Sequence, residues 1–170
     1  MDNVAGLIYD SSMTHRGLDK SATRLRHGSR QPLRFRLHGG SLGVRAANSG
    51  ELIRQVERGF AFKTLQALEF QSGLEAARIA SIIGIPERTL ARRKASGRLT
   101  ADESERLLRI AAVFEDAVDL FEGDVANAVK WLTIPRRALG NQPPLAHSRT
   151  ELGAREVENL IGRLERGIFS

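Results

Sequence analysis

Residues 74–97 read LEAARIASIIGIPERTLARRKASG, and the spacing within this stretch decides the fold. The apolar pattern gives two helices, 74–83 and 86–95, with only Gly84 and Ile85 between them. A DNA-reading helix-turn-helix needs a small residue where its helices cross, a glycine in the turn and an aliphatic residue clamping the second helix to the first. Ala80 stands four residues before Gly84 and Leu90 six after it, while Ile79, Ile83 and Ile85 supply the buried side. Pro86 suits the first helical turn, where its fixed φ helps and its missing N–H is not needed. The outward face then carries Glu87, Arg88, Thr89, Arg92, Arg93 and Lys94. Paired guanidinium donors reach guanine edges, and Lys and Thr reach phosphates, so Arg88, Thr89, Arg92, Arg93 and Lys94 are the expected DNA-binding residues. An isolated basic cluster would read as a solvated helix face. Here crossing residue, turn glycine, clamp and basic face coincide, which favours nucleic acid.

Helical spacing extends in both directions from this pair. Upstream, Leu52, Ile53 and Val56 share a face before Gly59, and Leu65 and Leu68 point inward on a helix over 62–71 closed by Ser72-Gly73. Downstream, Thr100-Ala101-Asp102-Glu103 is a capping box for a long helix over 100–121. Its stripe of Leu107, Ile110, Ala111, Phe114, Ala117, Val118 and Phe121 is wide enough to pack against two neighbours. Asp124 then caps a helix carrying Val125, Ala128, Val129 and Leu132, with Trp131 beside that stripe. Ile134-Pro135 and Pro143-Pro144 bracket a short turn over 136–139. A last helix holds Val157, Leu160, Ile161 and Leu164, and Gly167 takes the left-handed position after it. The expected fold class is all-α: a helix-turn-helix domain and a small second helical domain, sharing or docked across the long helix.

The chain of 170 residues carries 26 Lys and Arg against 20 Asp and Glu, a net charge of +6 that favours a polyanionic partner. The charge divides as +5 over residues 1–50, +3 over 51–110 and −2 over 111–170. The first fifty residues are rich in Arg, Ser and Gly and lack a sustained apolar period, so they read as a basic, mobile, low-complexity tail, with some likeness to a transit peptide. Residues 51–110 form the DNA-binding domain in this reading and 111–170 the second domain.

Catalysis finds no footing. The absence of cysteine excludes disulfides, thiolate zinc sites and cysteine nucleophiles. His15, His27, His38 and His147 fall in no metal-ligand spacing, and Gly39-Gly40-Ser41-Leu42-Gly43 lacks the order of a phosphate-cradling loop. Neither an enzyme nor a cofactor is expected. No apolar run is long enough to span a bilayer, so a cytoplasmic protein is the default.

The C-terminal third carries a more specific signal. The runs ANAVKWLTIP at 126–135, ALGNQPPL at 138–145, TELGAREV at 150–157 and RLERG at 163–167 closely resemble the toxin-binding domain of the Xre/MbcA/ParS antitoxin family. Arg88-Thr89-Leu90-Ala91-Arg92-Arg93 and Ser104-Glu105-Arg106-Leu107-Leu108-Arg109 are similar to that family's helix-turn-helix and following helix, so the resemblance spans about residues 51–170. Asn141 and Pro144 depart from the pattern, standing where a second glycine and a less rigid residue are expected.

This resemblance implies an antitoxin of a type II toxin–antitoxin pair. The partner it implies is a RES-domain toxin that consumes NAD⁺, neutralised through the C-terminal domain, and the complex represses its own promoter. The expected toxin-binding residues are Trp131, Arg136, Leu139, Leu145, Arg155, Arg163, Ile168, Phe169 and Ser170. Trp131, Leu139, Leu145 and Phe169 also admit plain packing roles, and the arginines could be solvated. An interface is favoured because the apolar residues between Pro135 and Leu145 have few local partners. A homodimer on two-fold operator DNA is expected. The alternative is a one-component regulator whose C-terminal helices sense a small ligand, which would need a concave apolar pocket.

Overall fold

The computed structural model describes residues 38–167, and these are helical, with isolated bridges Ala61–Arg98 and Arg136–Gln142 in place of any strand. The helices are α1 (Ser49–Glu57), α2 (Lys63–Ser72), α3 (Ala76–Ile82), α4 (Glu87–Ser96), α5 (Ala101–Leu120), α6 (Val125–Thr133), α7 (Pro144–His147) and α8 (Glu151–Glu165). Two 3₁₀ turns, Gly40–Leu42 and Arg137–Leu139, complete the set.

Local chemistry sets most of the boundaries. Asn48, Thr100, Asp124 and Thr150 each cap a helix by accepting a backbone N–H three residues on. At Thr100 the capping box closes in both directions, because Glu103 accepts from the Thr100 N–H at 2.8 Å. Gly84 adopts φ +73°, and the Ile85 N–H then donates to the Ala80 carbonyl at 2.8 Å, finishing α3. Pro86 sits one position earlier than the spacing suggests, as the extended N-cap of α4.

α5 is the axle. Leu107, Ala111, Val113 and Ala117 are fully enclosed, and α1, α2, α6, α7 and α8 all pack on it. One continuous core runs from Leu42 to Ile161, so the two domains share α5 rather than abut. The close approach of α7 to α8 depends on Gly153, where a Cβ would fall 1.9 Å from the His147 carbonyl oxygen.

The boundary of the tail needs correction. Residues 38–50 belong to the folded body, while the rest of the expected tail lies outside the described residues. The reason is a carboxylate from α5. Glu115 accepts hydrogen bonds from the Gly39 N–H (3.2 Å), the Ser41 N–H (2.8 Å) and the Ser41 hydroxyl (2.6 Å), and Leu42 is then buried. The glycine-rich run is an anion nest after all, and its anion is internal.

Candidate functional site

α4 is the exposed element of the helix-turn-helix. It buries none of its ten residues and packs beside α3, with Leu90 half-buried against the core and Thr89 half-buried next to it. Arg88, Arg92 and Lys94 are exposed, and among the described residues no hydrogen bond or ion pair engages their charged ends. Three unpaired cations on one short helix lose little solvation or internal pairing when they meet phosphates.

Arg93 is held differently. Its Nε donates to both oxygens of Glu103 at 2.7 and 3.0 Å, and Glu103 is buried at the first turn of α5. The same carboxylate completes the capping box, so one buried anion ties α4 to α5 and closes the α5 N-terminus. The pair fixes α4 against the start of α5 and sets Arg93 apart from the unpaired Arg88, Arg92 and Lys94.

Three of the C-terminal residues expected at an interface turn inward. Trp131 is 8 % exposed, Leu139 4 % and Leu145 3 %. Their partners come from outside the Pro-bracketed segment, which is why local spacing did not reveal them: α8 and α5 supply Val157, Ile161 and Leu107 to the same core. Arg136 lies over the Trp131 ring, 5.3 Å from its centroid, and donates to the Trp131 carbonyl at 3.0 and 3.2 Å. Burial lowers the pKa of its guanidinium. Arg155 is exposed and paired with Glu151, Arg163 is exposed, and Ile168, Phe169 and Ser170 lie outside the described residues.

Other charges are fixed locally. The Asn127 backbone N–H, followed by its side chain, lowers the pKa of the capping Asp124. Burial, then the charge of Asp116, raises that of Glu158. Among the described residues no cluster of His, Asp and Glu could hold a metal ion.

Two exposed apolar side chains escaped the sequence reading, Phe70 at 86 % and Leu152 at 70 %, and Ile53, expected on one face with Leu52 and Val56, is instead 56 % exposed while Leu52 is buried. The signal was present for the first two. Phe70 follows the inward Leu68 by two residues, and Leu152 precedes the inward Val157 by five, each about 140–160° from the buried stripe.

The fold and these surfaces define a helix-turn-helix protein with a second, helical domain mounted on the same long helix. Residues 51–112 match the model of the antitoxin Xre-like helix-turn-helix domain, and residues 116–167 match the antitoxin Xre/MbcA/ParS C-terminal toxin-binding domain. Antitoxin Xre of Yersinia enterocolitica is 39 % identical over 130 residues, 76 % of this chain and 88 % of that protein. Antitoxin Xre of Photorhabdus laumondii is 47 % identical over 93 residues, 54 % of this chain and 63 % of that one. Antitoxin Xre of Pseudomonas putida is 30 % identical over 122 residues, 71 % and 75 % of the two chains. The chain belongs to the Xre antitoxin family, which is not a family of enzymes.

Proposed function

We propose that this protein neutralises a RES-domain, NAD⁺-consuming toxin by binding it through the C-terminal domain, and that it represses its own operon through α4. The observation that carries the reading is the union of the two matched domains on one α5, with Arg88, Arg92 and Lys94 unpaired on the exposed helix. Arg88, Thr89, Arg92 and Lys94 contact DNA, and Arg93 orients the helix that bears them. On the toxin side the exposed Arg155 and Arg163, with the segment 168–170, remain the contact residues, while Trp131, Leu139 and Leu145 shape the surface from beneath. Two-fold operators call for a homodimer, and Phe70 offers it an apolar anchor. Such a partner and operator place the protein in the cytoplasm.

Co-expression with the gene beside it tests the reading. Growth and intracellular NAD⁺ should collapse with the neighbour alone and recover with both. A neighbour that is harmless alone, or lethal with this chain present, refutes neutralisation. Repression is checked separately with a promoter fusion, which should lose repression on Arg88→Ala with Arg92→Ala.

A further inference from the structure

A cleft of about 750 Å³ opens where the helix-turn-helix meets the C-terminal domain. Ile82, Ile83 and Gly84 of the turn form one wall, and Arg106 of α5 and the α7–α8 corner with Arg149 and Leu152 form the others. Three observations point to an occupant. The Arg106 Nε is buried without an acceptor, and among the described residues neither it nor the Arg149 guanidinium has an ionic partner. The carboxylate lining the cleft, Glu156, is already taken by His147 Nε2 at 2.6 Å. Leu152, 70 % exposed, stands at the same opening. Native proteins rarely leave a buried donor unsatisfied, and a cationic floor beside an exposed Leu complements a carboxylate flanked by an apolar side chain.

We propose that this cleft receives an acidic, apolar-flanked segment of the toxin, so that toxin contact reaches the turn on which α4 is mounted. This rests on the neutralising function proposed above. Most of the lining falls within the matched toxin-binding domain, which makes the cleft continuous with the surface that domain presents. A DNA backbone would satisfy the arginines but leave Leu152 without a counterpart. The corner is pre-formed: Arg109 donates to the Arg149 carbonyl at 3.1 Å and to Glu151 at 3.2 Å, fixing where α8 starts against α5.

The test uses the full chain and its co-expressed toxin, with affinity measured by calorimetry at low and high salt. Arg149→Glu and Leu152→Ser change exposed side chains, so their melting should match the parent. Each should weaken toxin binding by about tenfold or more, and Arg106→Met should flatten its salt dependence. Toxin should also shift the parent's operator affinity and leave that of Leu152→Ser unmoved. If the parent binds toxin and the folded variants bind equally well, the cleft proposal falls and neutralisation stands; if the parent does not bind, the functional reading itself fails. Variants that lose operator affinity without toxin while binding toxin normally would assign the cleft to DNA and overturn the proposal.

Discussion

α4 and the segment from Pro135 to Leu145 are built on opposite principles. α4 is charged, buries no side chain, packs beside α3 with Leu90 half-buried against the core, and is tied to α5 by the Arg93–Glu103 pair. The Pro-bracketed segment is short and irregular, yet Leu139, Pro144 and Leu145 are sealed into the core beside Trp131. One region is available to partners because, among the described residues, nothing competes for the cations of Arg88, Arg92 and Lys94. The other has turned its large apolar side chains inward and offers a partner mainly the shape of its backbone and of α8 beside it. Substitutions in the first should therefore change binding with the fold intact, and in the second should change the fold and weaken binding only as a consequence.

The largest effect expected is from Trp131→Ala, which removes a buried ring packed 6.5 Å from Phe121 and leaves Arg136 without its platform. A drop of about 3–5 kcal/mol in urea unfolding is expected. If stability holds and only toxin binding falls, Trp131 is an exposed anchor and the contrast is broken. Gly153→Ala comes next, because the added methyl would overlap the His147 carbonyl and push α7 off α8. Overpacking of this kind costs about 1–3 kcal/mol, and its calorimetric signature should be a lower melting temperature with operator binding retained in the cold.

How much of this was legible follows from how far apart the deciding residues lie. Helix spacing, the turn glycine at Gly84 and the capping box at Thr100 are readable because each is settled within four or five residues. The nest at Gly39 and Ser41 depends on Glu115, on the far side of the helix-turn-helix in sequence, so its glycines offer no clue to their anion. The segment 135–145 misleads for the same reason: its apolar residues lack partners nearby in sequence and find them on α5 and α8. Arg93 is the sharpest case. Neighbouring Arg92 and Arg93 are alike by composition, and the 3.6-residue repeat turns one outward and brings the other to a carboxylate ten positions on.

That pair gives the finest cut between orienting the helix and touching the DNA. Arg93→Ala strips a buried carboxylate of its guanidinium, leaving Glu103 only the Thr100 N–H, and should cost about 1–3 kcal/mol of stability. Operator affinity falls with it, but what remains of binding should keep the parent's dependence on salt, since every cation that meets a phosphate is still in place. Arg92→Ala should leave thermal unfolding within about 0.5 kcal/mol of the parent. Its effect is read instead in the plot of log affinity against log salt, whose slope should shrink by about one unit because one phosphate is no longer neutralised. If Arg93→Ala flattened the slope and left melting untouched, Arg93 would itself bind DNA, and the orientation of α4 would rest on Leu90 alone.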